Sequence, residues 1–339
     1  MEFKFILGID ISKENFNYCL RSASFDIIWE GAVDNHPDAI FNFISELMEQ
    51  TEISAIEDII LIMEHTGIYV QHLANCWLSK SGRMCIVAAT KVSLLLDGLI
   101  GQGEKTDAID ARRLAEYGIR YSDKLELWQA KDHTLEQLQS IHRQRSRLKQ
   151  VIHILHVPYK ESITFDSVEI SANMEDNQLE SMKALKNDLK KVEKQLEDLI
   201  KNDSVLNSLF KRITSVDGVG QVTAREIIIA TDAFKKFTPH QAKSFARYAG
   251  VVPLKKESGK MKRKARTSKM TNRKIKTVMT MGATSLIGTL SDLGLFYDRK
   301  INEGKAHFSV INAMRNKMIL RIFAVVRNQV MYDKNLNFI

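Results

Sequence analysis

Apolar and polar positions change period several times along the chain, and each change marks an element. Phe3 to Asp10 is a short apolar run that ends in an acid, and it predicts a buried strand in which Gly8 permits close backbone approach. Asn15 to Arg21 and Ser24 to Gly31 predict two further strands, making an antiparallel meander. From Pro37 to Gln50 the period becomes helical, with Ile40, Phe43, Ile44 and Leu47 on one face and Asp34 or Asn35 near the cap. Ile59 to Glu64 is again a buried strand ending in an acid. His65-Thr66-Gly67 then turns the chain into a helix over Ile68 to Leu78. Met84 to Ala88 reads as a strand, Lys91 to Leu99 as a helix, and Gly101-Gln102-Gly103 as a loop. The next helix starts at Asp107, capped by Thr106 or Asp107 itself. It runs to Ala115, with Gly118 as its stop. This order predicts an α/β N-terminal domain, a mixed sheet with helices on its faces, over residues 1–130.

Beyond residue 130 the strands give way to helical periods. Asp132 to Leu155 is a basic helix carrying Leu135, Leu138, Ile141, Leu148, Ile152 and Leu155, and Val157 to Gln178, with Pro158, reads as a connector. From Leu179 to Leu209, Met182, Leu185, Leu189, Val192, Leu196 and Leu199 alternate spacings of three and four, a coiled-coil seam interrupted at Asp203. Two readings stand for this helical stretch of 131–205: a hairpin within one chain, or pairing between subunits. Residues 206–339 predict a mainly α C-terminal domain. There Val216-Asp217-Gly218-Val219-Gly220 joins helix 204–214 to helix 221–231, either as a helix-hairpin-helix that brings backbone N–H groups to a phosphate or as a tight turn between packed helices. Thr238 to Ala249 is a helix with Pro239 in its first turn and Gly250 after its end, and two apolar helices follow at about 272–290 and 307–332.

Composition changes the picture only in its charge. The chain has 339 residues, 44% of them hydrophobic, and carries a net charge of +8, which suits a polyanionic partner. Cys19, Cys76 and Cys85 lie far apart without metal-ligand spacing, and read as buried thiols of a reducing cytoplasm. Neither a leader peptide nor a membrane span is indicated.

Candidate chemistry falls into two groups. Asp10 and Glu64 end neighbouring strands, and Asp107 and Asp110 share a helix face, so the four carboxylates could converge. Such a set is a seat for Mg²⁺, or Mn²⁺ in its place, and two ions about 3.5–4 Å apart can hold a scissile phosphate. For Asp107 and Asp110 the alternative is acids placed in a first turn to suit the helix dipole. The second group is basic. Lys255, Lys256, Lys260, Lys262, Arg263, Lys264, Arg266 and Lys269 crowd one segment against a lone Glu257, a phosphate-binding footprint or a solvated loop. Lys105, Arg112, Arg143, Arg145, Gly218 and Gly220 are further nucleic-acid candidates. Ser258 stands inside the basic segment, and Ser268 competes with it as a candidate nucleophile.

GIDISK around Asp10, MEHTGIY around Glu64 and KTDAIDARRLAEYG around Asp107 and Asp110 resemble, in order and spacing, the DEDD transposases of bacterial insertion sequences (the IS one-ten family), to which pilin-gene invertases are related. The C-terminal half resembles them too, in GVG, YAGVVP, a Ser-Gly pair, a Ser-Lys pair and an ending with His307, Met314, Arg315 and Asn316. Thr271 departs from the family's usual glycine, which puts the local turn in question. The resemblance implies an RNase H-like, RuvC-like N-terminal domain, a coiled-coil insertion and a C-terminal transposase domain. Asp10, Glu64, Asp107 and Asp110 would hold metal, and Ser258 would attack DNA to form a phosphoserine link. It further implies a structured non-coding bridge RNA as guide, a homo-oligomer (dimer or tetramer) acting on double-stranded DNA, and a place at the bacterial nucleoid. Three functions remain open: a transposase or invertase, a junction-resolving nuclease that uses the carboxylates alone, and a nucleic-acid-binding protein whose acids are structural.

Overall fold

The computed structural model describes residues 3–51, 53, 55–88, 92, 106–128, 132–258, 261–268 and 271–333; for residues 50 and 254–266 the backbone alone is described. The chain divides into two compact units, residues 1–130 and 131–339.

The first unit is built on a five-stranded sheet of β1 (Phe5–Ile11), β2 (Asn15–Ser22), β3 (Ile27–Asp34), β4 (Ile59–Glu64) and β5 (Arg83–Val87), in the order β3-β2-β1-β4-β5. The meander β1–β3 is antiparallel, whereas β4 and β5 run parallel to β1, so the sheet is mixed as expected. Strand alternation sends Leu7, Ile9 and Ile11 to one face, where they pack with Leu61 and Met63 under α1 (Pro37–Gln50) and α2 (Gln71–Ser79). Ile6, Ile60 and Ile62 face the other way, onto Ala111, Leu114 and Ala115 of α3 (Asp107–Arg120). Both faces are therefore covered, which is why β1 and β4 read as nearly continuous apolar runs.

Close packing of α3 on β1 rests on small residues. A Cβ on Gly8 would stand 2.2 Å from the carbonyl oxygen of Ala111 and 2.3 Å from the nitrogen of Ala115. Gly118 does not stop the helix, which continues to Arg120. Its missing side chain instead makes room for Ile62 Cδ1, 2.3 Å from where a Cβ would lie. The N-cap is Thr106, whose hydroxyl accepts from the Ile109 N–H at 3.3 Å. α1 starts as expected at Pro37, but its cap is His36, and Asn35 turns its amide elsewhere. β3 begins three residues later than Ser24, because Phe25 takes φ +73° in the turn that precedes it. The predicted helix 91–99, the loop Gly101-Gln102-Gly103 and Lys105 lie outside the described residues, apart from a buried Val92.

The second unit opens with two long helices, α4 (His133–Phe165) and α5 (Val168–Asn202), which pair as an intramolecular hairpin. The predicted connector is thus helical. α4 runs through Pro158, on an exposed face where water can satisfy the carbonyl four residues back, and the turn comes only at Asp166-Ser167. Ser167 caps α5 at the Ile170 N–H. Leu135, Leu138, Val192, Leu196 and Ile200 at the hairpin's base share one core with the helices that follow.

Asp203 ends α5 and caps α6 (Ser204–Thr214), and a short turn leads to α7 (Gln221–Thr231), as the sequence predicts. α8 (Ala242–Tyr248) is shorter than expected: Thr238 to Gln241 form a closed turn instead, with the Gln241 N–H bonded to the Thr238 carbonyl at 2.8 Å. The basic segment is not a loop but an antiparallel ribbon of β6 (Leu254–Ser258) and β7 (Met261–Arg266), since charge density governs solvation without forbidding backbone pairing. Three helices close the unit, α9 (Arg273–Ser285), α10 (Asp292–Asn302) and α11 (His307–Arg327). The sequence predicts two; α10 is set apart by Ser291, whose hydroxyl accepts from the Gly294 N–H at 3.0 Å. Thr271 packs against Gly250, whose absent Cβ would lie 2.4 Å from Thr271 Cγ2. Among the described residues no helix is long and apolar enough to cross a membrane.

The Gly8 contact yields a test. Gly8→Ala forces a methyl into the α3 backbone and is expected to destabilise the first unit by about 1–3 kcal/mol, measured as a lowered denaturation midpoint.

Candidate active site

β1 and β4 are parallel neighbours, paired up to Ile9 opposite Met63. The next residue on each strand is an acid, Asp10 and Glu64, so the two carboxylates leave the sheet at the same level and edge. Asp10 lies two residues beyond Gly8, and Glu64 two beyond Ile62, so both belong to the face that α3 covers. α3 runs antiparallel to β1: Gly118 sits over Ile6, and Ala111 and Ala115 over Gly8. Its N-terminus, with Asp107 and Asp110, therefore lies toward the strand ends that carry Asp10 and Glu64. Sheet parity and helix direction thus bring the four predicted acids to one edge and one face.

The side chains are not gathered into a finished ligand set. Among the described residues no three His, Cys, Asp or Glu side chains stand together closely enough to hold an ion. Asp110 Oδ1 accepts from Arg113 Nη1 at 3.1 Å, three residues along the same helix. The second oxygen of that carboxyl is not part of this pair. By the chemistry of its donors, a set of four carboxylates would suit a hard divalent cation.

Two residues that the sequence reading passed over support this edge. Arg113 is the cation beside Asp110, and its i,i+3 spacing is the signal that could have found it. Asn35 donates from Nδ2 to the carbonyls of Ser12 and Tyr69, both at 3.0 Å. Those residues follow Asp10 and Glu64 respectively, so one amide ties together the two loops that leave the acidic strand ends. No local pattern marks it.

Several predicted nucleic-acid contacts have other work. Arg112 is bound through one edge of its guanidinium to both carboxylate oxygens of Glu30 of β3, with Nε donating to Oε2 at 2.8 Å and Nη2 to Oε1 at 2.5 Å. That pair holds the Glu30 carboxyl below its ordinary range, chiefly through the hydrogen bond. Arg145 is largely buried and donates from Nε to Glu193 at 3.0 Å, tying α4 to α5. Arg143 and Arg147 are exposed on α4. Gly218, at φ +77°, is used for packing: a Cβ there would meet the Gly282 carbonyl of α9 at 2.7 Å. The turn is therefore at least the packed-helix turn of the two readings above. Gly220, the N-cap of α7, has open space around its Cβ position.

Ser258 ends β6 and pairs with Met261 across the ribbon. Lys255 and Lys256 share its strand, and Lys262, Arg263, Lys264 and Arg266 lie on β7. Lys260 and Lys269 fall outside the described residues. Ser268 follows the ribbon and is half-buried. Burial pushes the three thiols upward, Cys85 to about 11, so none is poised as a nucleophile.

Comparison with known proteins is consistent across the chain. A DEDD-type family model described as a transposase matches residues 7–155, and the "Transposase IS116/IS110/IS902 family" model matches residues 210–297. The chain is 25% identical over 336 residues to a pilin gene-inverting protein of Moraxella bovis, covering 98% of this chain and 99% of that one. The corresponding protein of Moraxella lacunata is 24% identical over the same length. Among solved structures, Thermus thermophilus RuvC aligns with a TM-score of 0.29 at 9% identity, over 37% of this chain and 99% of that one.

The Arg112–Glu30 pair predicts a pH signature. Because the folded carboxyl is depressed, its stabilisation is present at neutral pH and is lost as pH falls through that depressed value. Arg112→Ala should therefore cost under ~1 kcal/mol at neutral pH, as both side chains are partly exposed. The difference from wild type should vanish in acid, as read from denaturation midpoints across pH.

Proposed function

Since the chain belongs to the IS116/IS110/IS902 family of insertion-sequence transposases, and is thus an enzyme of DNA recombination, we propose that it cuts and rejoins DNA through a serine–phosphate intermediate assisted by its acidic edge. The observation that carries this reading is the meeting of Asp10, Glu64 and the α3 N-terminus at one sheet edge.

Ser258 is the nucleophile in this scheme. Its Oγ attacks a backbone phosphorus, an Oγ–P bond forms, and the bond from phosphorus to one deoxyribose oxygen breaks. The departing oxygen takes a proton and becomes a free hydroxyl, while the serine proton passes to a base or water. The number of phosphate ester bonds is unchanged, so the reverse attack by a different strand's hydroxyl rejoins DNA without an external energy source. Asp10, Glu64, Asp107 and Asp110 would hold Mg²⁺ or Mn²⁺, which supplies Lewis-acid stabilisation of charge on the phosphate oxygens. Asn35 ties together the loops after Asp10 and Glu64, and Arg113 pairs with Asp110 along α3. The lysines and arginines of the β6–β7 ribbon neutralise backbone phosphates near the attacking serine.

Double-stranded DNA is the substrate, and a structured non-coding RNA is the guide in this reading. The exposed Arg143 and Arg147 and the ribbon are the surfaces offered to its backbone. The long α4–α5 hairpin, with Ile163, Phe165, Val168 and Ile170 exposed at its tip, suits assembly into a dimer or tetramer. The full-length likeness to pilin gene-inverting proteins favours one variant of the same chemistry, inversion between two sites of one DNA molecule.

Covalent capture tests the proposal. Purified protein is incubated with Mg²⁺, flanking non-coding RNA and labelled element-end DNA, then denatured. The expected result is labelled protein in the wild type, absent in Ser258→Ala and reduced at least about a hundredfold in Asp10→Asn, the scale on which loss of a transition-state charge partner acts. Cleaved DNA without labelled protein, lost only in Asp10→Asn, would instead establish a carboxylate nuclease.

A further inference from the structure

The C-terminal unit contains a buried arginine that neither the core nor the chemistry above accounts for. Arg315 on α11 is 8% exposed. Among the described residues no carboxylate pairs with it, and its Nε has no acceptor. A buried cation held without a counter-charge costs free energy, and burial accordingly pulls its guanidinium below the usual arginine range. Its other two nitrogens are committed. Nη1 donates to Thr280 Oγ1 of α9 at 3.0 Å, and Nη2 donates to Asn312 Oδ1 at 2.9 Å, one turn earlier on α11.

The second bond fixes the orientation of an amide. A guanidinium only donates, so Asn312 must present its oxygen to Arg315 and its NH₂ to the other side. On that side lies the Val251 carbonyl, 2.6 Å from Asn312 Nδ2. Val251 stands three residues before β6, the strand that ends in Ser258. The opposite leg of the ribbon is held at the same foot. The Asn272 N–H donates to the Tyr248 carbonyl, and Asn272 Nδ2 donates to the Tyr248 hydroxyl, both at 2.9 Å. Thr271 fills the space left by Gly250. One leg is thus tied at 251 and the other at 271–272, both to the helical core.

We propose that Arg315 and Asn312 are positioning residues that aim the β6–β7 ribbon, and with it Ser258, by fixing the backbone at Val251 through an oriented amide. The proposal rests on the reading of Ser258 as nucleophile. Arg315 acts through Asn312 and touches no reacting atom. Ser258, seven residues along the chain from its anchor at Val251, moves with that anchor, and a displacement near 1 Å at a reacting atom costs on the order of a hundredfold in rate.

Asn312→Asp separates positioning from simple packing. The carboxylate keeps, and strengthens, the bond to Arg315, so the fold and its denaturation midpoint are retained or raised. It has no hydrogen to give Val251 and repels that carbonyl. The expected result is an unchanged DNA dissociation constant, a single-turnover rate of covalent capture lowered about tenfold or more, and faster amide hydrogen exchange across 252–258 and 261–268. Asn312→Ala, which removes both bonds, should show the same exchange and rate effects with a lower midpoint. Asn312→Asp with wild-type capture rate and wild-type ribbon exchange overturns the proposal. If even the wild type forms no covalent adduct, the serine reading fails. The exchange comparison then still stands as the test of the clamp, and unchanged ribbon exchange in Asn312→Asp overturns it.

Discussion

The contact on which the first unit depends is the bare backbone approach of α3 to β1 at Gly8. β1 is the central strand, and α3 lies on it through Ala111, Ala115 and Gly118, residues with a methyl or nothing to offer. This places the helix axis closer to the sheet than leucine-sized side chains would allow. The consequence is electrostatic as much as steric. Asp107 and Asp110 are rigidly part of α3, and Asp10 and Glu64 are rigidly part of the sheet, so the helix–sheet distance sets how near four carboxylates are brought. A small-residue contact one turn away thereby sets how closely the α3 N-terminus approaches the strand ends, and Asn35 adds a second constraint by joining the loops that follow the two strand acids.

Much of this unit was legible because burial imposes simple periods. Helix Pro37–Gln50 and strand Ile59–Glu64 coincide with the observed elements, and the acids at the strand ends were found by their break with an apolar run. What failed did so for long-range reasons. Gly118 reads locally as a stop, yet Ile6 and Ile62, distant in sequence, require its smallness inside the helix. Arg112 and Arg145 read as free cations, because the acids that claim them lie 82 and 48 residues away. Pro158 reads as a break, but a long exposed helix loses only one internal bond to it. The ribbon read as a loop because its strands lack the apolar alternation that betrays a strand with one buried face. Asn312 and Asn35 carry no local signature at all, since an amide becomes structural only through the partners that tertiary folding supplies.

The positive charge of the protein is unevenly available to a partner. Arg112 and Arg145 are paired with carboxylates, and Arg321 is paired with Asp292 of α10. Arg315 is spent on oriented hydrogen bonds. None of these is free to release counterions from a phosphate backbone. The segment from Lys255 to Lys269, by contrast, sets eight bases against one acid, a net +7 within a chain whose total is +8. The rest of the molecule is close to neutral. A protein of this kind is not attracted to nucleic acid uniformly over its surface; its field is concentrated on one two-stranded ribbon. The same ribbon carries Ser258 at the end of β6. At its foot, hydrogen bonds from Asn312 to the Val251 carbonyl and from Asn272 to Tyr248 tie both legs of the ribbon to the helical core.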